Sequence, residues 1–526
     1  MTEPVGTLIK ALQQPKVYNH AVENLTLIET HISWLVLTGP YVYKIKKPLN
    51  LGFLDFSTLD KRRHYCHEEL RLNRRLAPEI YLEVVPISGS PAHPCLGGAD
   101  APIEYAVKMV QFPQQARLDY CLQRGELSPE LIGSLANKVA TFHQSIAIAP
   151  QDSPYGTPEA VLQPALENFE QVNTFLAEEK EDQEWLARLR QWTEEKWQQL
   201  QPEFIDRKKA GSVRECHGDL HLGNIALRNS QFVIFDCIEF NENLRWIDIM
   251  SELAFLVMDL EDRGRPDLAH HCLNRYLEHS GDYPGLAVLN YYQVYRALVR
   301  AKVTAIRLGQ APSPPEAQAV KEDYRSYLKL ALGYIQPAQT FLIITHGLSG
   351  SGKTTLSQPL LDRLGAIRLR SDIERKRLHG LKSRDRLGEG VATGIYSAQS
   401  SRQTYQHLQQ LAQTVLTAGY PVLVDAAFLK QVQRQAFQDL AQTLSVPFAI
   451  LDFRCDPQQL QQRIRERQRQ DRDASDADLA VLEHQQTTQE PLTEAEQNIT
   501  LPIETSQPLN MESLAEQLLH QLHPTP

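Results

Sequence analysis

The chain has 526 residues, which is enough for roughly two to four domains of ordinary size. Its 42% hydrophobic and 22% charged residues exclude a disordered, collagen-like or coiled-coil protein. The formal net charge is −10, so no overall attraction draws the chain to nucleic acid or to an anionic membrane.

The cysteines and the N-terminal residues bear on the cellular setting. Seven cysteines are scattered along the chain without a CxxC pair, which argues against a disulfide framework or a zinc site. The N-terminus has no apolar stretch of the kind found in signal peptides. No run approaches about 20 uncharged apolar residues, so we expect no membrane span and a cytoplasmic location.

The first two thirds of the chain alternate short strands with long helical stretches. In chain order, the predicted elements are a strand pair at 30–47 joined at Gly39-Pro40, a helix at 58–76, a strand at 104–112, helices over 128–208, a strand–loop–strand stretch at 213–240 and further helices to about 335. A polar, proline-containing break at 336–340 predicts two domains, 1–337 and 338–526. Strands and helices alternate after the break, which is typical of an α/β domain with a parallel sheet.

The first motif that carries chemistry reads HGDLHLGN at 217–224, and an apolar strand ending in Asp236 follows it. Asp219 and Asn224 lie five residues apart on a loop, where they can address one hydroxyl group and one metal ion together. Asp236 can complete the metal site. The pattern predicts a phosphoryl-transfer centre.

This motif resembles the HGDxHxxN signature of aminoglycoside phosphotransferase-like kinases, whose fold is the bilobal α+β fold of protein kinases. The resemblance spans about 30–335. It implies that Asp219 is the catalytic base, that Asn224 and Asp236 hold Mg²⁺ beside ATP, and that His217 and His221 are scaffold hydrogen-bonders. Asp248, in a later stretch that also resembles the family, would support the catalytic loop from behind.

The same resemblance implies a lysine on a strand of the N-terminal lobe that contacts the α- and β-phosphates. Lys44 and Lys46 lie two residues apart and point to the same face of one strand. Lys44 places apolar Val42 two residues earlier, where it would cover the adenine, whereas Lys46 would place a charged residue there. We therefore expect Lys44 to be the nucleotide-binding lysine.

The resemblance also implies roles for three further residues of the nucleotide site. Glu69 is the expected partner of Lys44, because apolar residues follow it at helical spacing and hold that helix face to the lobe. The strand at 104–112 would run into a hinge near Gln111, whose backbone would contact adenine. The Gly-rich loop of protein kinases is absent, and Ser33 in the equivalent turn is the candidate phosphate contact.

The second half opens with a GxxxxGK[ST] motif directly after an apolar strand at 341–345 and directly before a helical run. In such a loop the backbone N–H groups face the phosphates, Lys353 neutralises the β- and γ-phosphates and is expected to act in catalysis, and the Thr354 hydroxyl binds Mg²⁺. The residues expected to bind the nucleotide are Gly347, Leu348, Ser349, Gly350, Ser351, Gly352, Lys353, Thr354 and Thr355.

Further charged residues follow the P-loop in an order that suits a kinase. Asp425 ends an apolar strand and is expected near the metal. Asp372 can orient or deprotonate an acceptor hydroxyl, and Arg375 can bind a substrate phosphate or carboxylate. Arg463 and Arg467 share one face of a predicted lid helix over the transferring phosphate.

From 341 to about 506, the chain resembles the small P-loop kinases. That superfamily includes gluconate and shikimate kinases, zeta-type toxins and polynucleotide kinases, so the resemblance does not identify an acceptor. The leading hypothesis is a bifunctional ATP-dependent phosphotransferase that uses Mg²⁺ and phosphorylates hydroxyl groups of small molecules.

Two alternatives remain open. In one, the chain is a nucleotide-sensing regulatory protein with one active kinase domain. In the other, the P-loop domain is a polynucleotide-type kinase, which a basic stretch at 363–386 favours and the slight acidic excess of the domain from 341 onward disfavours. The sequence specifies neither the acceptors nor the oligomeric state.

Overall fold

A computed structural model describes the chain except for residues 1–2, 53, 176–179, 309–312, 338, 383–384, 386–393, 471–476, 508 and 523–526. The chain forms two compact units, each built from several segments. The first unit comprises Met1–Ser128, Ser145–Glu167 and Phe204–Asp259, and the second comprises Pro129–Gln144, Asn168–Glu203 and the chain from Leu260 onward.

The described strands are, in chain order, β1 (Thr26–Glu29), β2 (Ser33–Leu37), β3 (Tyr41–Lys46), β4 (Tyr81–Ser90), β5 (His93–Leu96), β6 (Glu104–Val110), β7 (Val213–Glu215), β8 (Ile225–Arg228), β9 (Gln231–Ile234), β10 (Trp246–Asp248), β11 (Leu342–His346), β12 (Ile367–Arg370), β13 (Val422–Asp425), β14 (Phe448–Arg454) and β15 (Thr500–Glu504).

The described α-helices are α1 (Glu3–Ala11), α2 (Leu59–Asn73), α3 (Leu118–Gln123), α4 (Pro129–Ser145), α5 (Pro158–Phe175), α6 (Lys180–Lys209), α7 (Ile249–Asp262), α8 (Pro266–Ser280), α9 (Leu286–Leu308), α10 (Pro314–Tyr334), α11 (Lys353–Leu364), α12 (Ser371–Leu378), α13 (Ala398–Thr417), α14 (Gln431–Leu444), α15 (Pro457–Gln470), α16 (Leu479–Thr488), α17 (Glu494–Gln497) and α18 (Met511–Leu522). None of them is long and apolar enough to cross a membrane.

The first unit contains a six-stranded antiparallel sheet in the order β1-β2-β3-β6-β4-β5. Alternate residues of β3 face opposite sides, so Tyr43 and Ile45 pack in one apolar core and Val42 packs in another, together with Cys66 of α2. Lys44 and Lys46 share the face of Val42. The two cores thus bury both sides of the sheet and direct both lysines towards α2.

A short hairpin brings the metal-binding candidates of the first unit together. Strands β8 and β9 pair from Ile225↔Ile234 to Arg228↔Gln231, and the two turn residues Asn229 and Ser230 both have positive φ, 49° and 60°. Such a turn matches the natural twist of paired strands. At the open end, the N–H of Phe235 donates to the carbonyl of Asn224 at 3.0 Å, which places Asn224 next to the residue that precedes Asp236.

The second unit contains a five-stranded parallel sheet in the order β12-β13-β11-β14-β15. The central strands β11 and β13 are apolar and buried along most of their length, as a sheet covered by helices on both sides requires. The edge strand β12 is apolar on one face and carries Arg368 and Arg370 on the other. Strand β11 leads into the P-loop, and its neighbour β13 ends at Asp425. The predicted fold classes, α+β with a kinase-like N-terminal part and α/β with a parallel sheet, are confirmed.

The two compact units do not divide the chain at the polar break near 338. Helices α8, α9 and α10 precede that break, yet they cluster with the parallel sheet of the second unit. The reason is physical: helix α8 packs closely against α11 and β12 and is hydrogen-bonded to both of them.

Candidate active sites

The predicted strand lysine of the first unit lies between two carboxylates. Lys44 Nζ is 2.8 Å from Glu69 Oε1 and 2.6 Å from Asp236 Oδ1. Burial alone would lower the pKa of Lys44, but Asp236 and Glu69 raise it well above its ordinary value. The structure therefore brings together a lysine, a helix carboxylate and the carboxylate that follows β9.

Lys46 extends this contact into a chain of buried charges. Its Nζ is 2.6 Å from Glu69 Oε2 and also pairs with Glu239. The side chains of Lys46 and Glu69 have no solvent exposure, and that of Glu239 has 4%. Burial opposes ionisation of Glu69, yet the two lysines lower its pKa to about 2. Glu69 is thus a shared anchor for both lysines.

The loop after β7 holds the predicted base and the predicted metal-binding amide in direct contact. Asn224 Nδ2 donates to the carbonyl oxygen of Asp219 at 3.0 Å and to its Oδ2 at 2.8 Å. His221 Nε2 lies 3.5 Å from the same carboxylate oxygen. These contacts orient the Asp219 carboxylate and direct the oxygen of the Asn224 amide away from it.

Two acidic residues hold this loop from behind. Glu252 accepts hydrogen bonds from the main-chain N–H of His217 at 2.7 and 3.0 Å, and Asp259 accepts one from the N–H of Leu222 at 2.9 Å. Asp248, for which we predicted this role, instead binds Arg207 through both carboxylate oxygens at 2.6 and 2.7 Å and accepts from the N–H of Met250. The supporting carboxylates therefore lie on α7, after the predicted Asp248 at the end of β10.

Asp236 has a backbone conformation that few residue types adopt. Its φ is 65°, in the left-handed region where Asp is more frequent than most non-glycine residues. Its N–H donates to the hydroxyl of Tyr81 at 3.1 Å, and the next N–H, of Cys237, donates to Asn73 Oδ1 at 2.9 Å. Sequence analysis missed Tyr81 and Asn73, since neither lies in a recognisable motif.

Two other predicted nucleotide contacts are placed differently. Ser33 lies opposite Lys46 on the same face of the sheet, but it is fully buried, and its hydroxyl has no hydrogen-bond partner among the described residues. Contact with a phosphate would need this strand end to open. The N–H of Gln111 already donates to the carbonyl of Pro40 at 3.0 Å, so that N–H cannot also bind adenine.

The P-loop of the second unit wraps around its own lysine. Gly347 and Gly350 have φ of 139° and 84°, and a Cβ at Gly347 would lie 2.6 Å from the carbonyl oxygen of Phe453. Only glycine fits at that position. Lys353 Nζ donates to the carbonyls of Gly347 and Leu348 at 2.8 Å each, so the ammonium group lies inside the loop.

Lys353 and Thr354 connect the P-loop to the neighbouring strand. Thr354 Oγ1 donates to Asp425 Oδ2 at 2.7 Å. Burial lowers the pKa of Lys353 to about 8, although the carboxylates of Asp425 and Asp372 act in the opposite direction. The predicted lysine, hydroxyl and strand-ending carboxylate are therefore assembled at one end of the sheet.

The remaining P-loop residues are also accounted for. The N–H of Ser349 donates to Gln485 Oε1 of α16 at 2.8 Å, and Leu348 packs on an apolar cluster with Leu482. Ser351 is buried, and Thr355 is exposed at the start of α11. Gly352 immediately precedes α11, so the loop opens at a helix N-terminus, where anions bind.

The predicted acceptor and lid residues are only partly brought to the P-loop. Asp372, in the first turn of α12, is close enough to Lys353 to affect its pKa. Arg375 is buried and donates to the carbonyl of Ile395 at 3.0 Å and to Ser401 at 3.3 Å. It is thus bound within the protein.

The two lid arginines have separate partners. Arg463 donates to the carbonyl of Thr505 at 2.7 Å and lies 3.5 Å from the carbonyl of Gly350. Arg467 donates to the carbonyl of Ala477 at 2.6 Å. Arg463 thus reaches a main-chain carbonyl of the P-loop, and Arg467 is close enough to Lys353 to lower its pKa.

Comparisons with known proteins agree with this geometry. A family model described as "Phosphotransferase enzyme family" matches residues 34–289, and one described as "AAA domain" matches residues 342–492. An uncharacterized protein of Mycobacterium tuberculosis and one of Mycobacterium bovis are each 30% identical over 427 residues, which is 81% of this chain and 82% of theirs. The chain belongs to the family of these proteins. It joins a phosphotransferase-family domain to a P-loop kinase domain, and it is a phosphotransferase enzyme.

Solved structures of both kinds of kinase resemble parts of the chain. Choline kinase from Cryptosporidium parvum is 12% identical and covers 63% of this chain and 96% of its own, with a TM-score of 0.40. A gluconokinase from Sinorhizobium meliloti 1021 is 17% identical and covers 35% of this chain and 93% of its own, with a TM-score of 0.25. Neither likeness bears on the substrates of this chain.

The shared anchor predicts a large stability loss when Lys46 is replaced. Lys46→Met leaves Glu69 and Glu239 buried with too few cations, and we expect it to lower the free energy of unfolding by about 3–5 kcal/mol. Lys47→Met is the matched control, because Lys47 pairs with the exposed Glu29, and it should cost under about 1 kcal/mol. Urea unfolding measures both, and equal losses would contradict the assigned role of Lys46.

The lowered pKa of Lys353 predicts how nucleotide binding at the P-loop depends on pH. Below pH 8 the lysine is charged and the dissociation constant should be flat. Above pH 8 the free protein loses that charge, so binding an anion must take up a proton and should weaken about tenfold per pH unit. Calorimetry of an ATP analogue in buffers of different ionisation enthalpy measures the uptake. Lys353→Arg should abolish the pH dependence, and a flat wild-type curve to pH 10 would contradict the shift.

Proposed function

We propose that the chain is a bifunctional ATP-dependent phosphotransferase, with one kinase site in each compact unit. The observation that supports this most directly is that each unit contains its own lysine and its own carboxylate close enough to raise the pKa of that lysine. In the first unit these are Lys44 and Asp236, and in the second they are Lys353 and Asp425. Neither set uses a side chain of the other.

In the first site, Asp219 would accept the proton of an acceptor hydroxyl while that oxygen attacks the γ-phosphorus. The bond from the γ-phosphorus to the bridging oxygen breaks at the same time, and ADP leaves with the bonding electrons. Asn224 holds the Asp219 carboxylate in orientation. Lys44, kept charged by Glu69, would bind the α- and β-phosphates. Positioning and electrostatics supply most of the rate enhancement in such transfers.

In the second site, the N–H groups at the start of α11 and the ammonium of Lys353 would bind the β- and γ-phosphates. The three contacts that now hold Lys353 and Thr354 are to Gly347, Leu348 and Asp425. Asp372 lies near the same lysine and would accept the proton of the second acceptor. Arg375 would have to leave Ile395 and Ser401 to bind an anionic group of that acceptor.

The side chains present fit a magnesium ion in both sites. Their donors are oxygen atoms: the carboxylate of Asp236 and the amide oxygen of Asn224 in the first site, and the hydroxyl of Thr354 with Asp425 in the second. Such ligands suit Mg²⁺. When bound, the ion would neutralise charge on the phosphate oxygens.

We propose that both acceptors are small hydroxylated molecules. The acidic net charge of the chain disfavours a nucleic acid as acceptor. An acceptor screen with labelled ATP, containing sugars, amino alcohols and oligonucleotides, would identify the class.

Two independent sites predict a nucleotide stoichiometry of two for the full-length chain. Asp236→Ala should remove Mg²⁺-dependent binding of a non-hydrolysable ATP analogue at one site, and Lys353→Ala should remove it at the other. Asp206→Ala, at an exposed surface pair, should keep both. Calorimetric titration gives the count, and a wild-type stoichiometry of one that either mutation abolishes would show a single composite site.

Turnover at the second site should depend on Lys353. In a full-length chain carrying Asp219→Asn, Lys353→Ala should lower the rate of ATP turnover by about 10²–10³-fold, because the lost charge faces the transferring phosphate. Lys430→Ala, which removes a surface lysine paired with Glu490, should leave the rate near that of the parent. A variant that kept more than about a tenth of the rate would contradict the P-loop assignment.

A further inference from the structure

In the parallel sheet of the second unit, the edge strand β12 is covered by helix α8. This helix precedes residues 342–492, the stretch that matches the P-loop domain model. Asn274 of α8 donates from Nδ2 to the carbonyl of Ala366 at 3.0 Å, and its Oδ1 accepts from the N–H of Arg368 at 2.7 Å. These are main-chain groups that a neighbouring strand would otherwise bind. The side-chain amide of Asn274, which is buried, therefore takes the place of a strand partner.

The next turn of the same helix carries a buried ion pair into the sheet. Glu278 Oε1 lies 2.8 Å from Arg368 Nε and 2.6 Å from its Nη2, and both residues are at most 5% exposed. Arg368 Nη1 in turn lies 3.4 Å from the carbonyl of Thr354. Glu278 is therefore two contacts away from the residue that pairs with Asp425 in the P-loop site.

The same region also holds helix α12, which carries Asp372 and Arg375. Tyr283, just after α8, donates its hydroxyl to Glu374 Oε1 at 3.2 Å. Arg377 Nη2 donates to the carbonyl of Glu278 at 2.6 Å. Two contacts thus tie the back of α12 to a segment that precedes the P-loop domain by more than fifty residues.

These contacts matter because β12 leads directly into α12. The position of Asp372 relative to Lys353 depends on where β12 lies beside β13 and on how α12 leaves the sheet. A displacement of about 1 Å at a reacting group can cost on the order of 10²-fold in rate. Contacts that fix β12 and α12 therefore bear on the chemistry.

We propose that α8 and the turn after it are a working part of the P-loop kinase, in which Glu278 and Tyr283 are positioning residues for β12 and α12. The proposal rests on the kinase function proposed above for the second unit. Both residues lie within residues 34–289, the stretch that matches the phosphotransferase family. One family domain thus supplies structural support to the active site of the other.

The test uses full-length protein with Asp219→Asn, so that ATP turnover reports on the second site. Glu278→Gln and Tyr283→Phe should each lower kcat, by about 10-fold and about 3-fold, while KM for ATP changes less than twofold, because they act on α12 and not on the P-loop N–H groups. Tyr283→Phe removes only one hydroxyl and keeps the test valid if Glu278→Gln folds poorly. Asp267→Asn, which breaks a surface pair on the same helix, is the control and should change neither constant.

Three controls separate a positioning role from general destabilisation of the protein. Assays are run well below the Tm of every variant, and nucleotide stoichiometry is checked by calorimetry. The double variant Glu278→Gln/Arg368→Gln should recover part of the lost kcat, since no unpaired buried charge remains. Unchanged kcat in both single variants, with Lys353→Ala inactive, would overturn the inference alone. Full activity of Lys353→Ala would overturn the proposed function and the inference with it.

Discussion

The geometry of the first site depends on the ion pairs that the buried carboxylate of Glu69 makes with Lys44 and Lys46. A carboxylate without solvent exposure must be paired or it will take up a proton, and here each of its oxygens faces a different lysine. Lys44 points on towards Asp236, and Lys46 points on towards Glu239. Because Asp236 and Glu239 belong to one segment of chain, the two lysines fix that segment to the sheet at two places.

This arrangement explains how the first site could accept a nucleotide without losing its shape. In the function proposed for this site, Lys44 would turn to the phosphates and Asp236 to a metal ion, and the pair between them would weaken. Glu69 keeps its contact with Lys46, which lies on the same strand two residues away. The helix that carries Glu69 therefore has a partner that does not take part in phosphate binding.

In the second site, the buried ammonium group of Lys353 is stabilised by different partners. This lysine is held by two main-chain carbonyls instead of an adjacent carboxylate. The effect of burial therefore outweighs the effect of the more distant carboxylates, and the pKa of Lys353 is lowered. The phosphates of a nucleotide would replace those weak partners with strong ones. A site of this kind depends on the ligand to complete its charge balance, whereas the first site is balanced within the protein.

The sequence predicted the parts of both sites that chain spacing determines. The P-loop, the Asp219–Asn224 loop and the strands that end at Asp236 and Asp425 are short-range patterns, and the structure places them together. The choice between Lys44 and Lys46 rested on an apolar residue two positions earlier, and Lys44 is the lysine that contacts Asp236. Ser33 and Asp248 depended on family resemblance alone, and the structure gives them other surroundings.

What the sequence could not predict are contacts between residues far apart in the chain. Glu239, Tyr81 and Glu252 each pair with a partner brought near only by the fold, and nothing in their own neighbourhood distinguishes them from other polar residues. Arg375 was predicted as an acceptor contact from its helical spacing after Asp372. Its burial against Ile395 and Ser401 depends on packing, which the spacing does not specify.

The division of the chain shows the same limit most clearly. A polar, proline-containing break marks where one sequence pattern ends and another begins, but it does not mark where one core ends. The edge strand β12 has main-chain groups that water or another element must satisfy, and Asn274 satisfies two of them from α8. A parallel sheet whose edge is covered in this way cannot be separated from its covering helix without exposing those groups. The physical unit around the P-loop therefore includes a helix that sequence comparison assigns to the preceding domain.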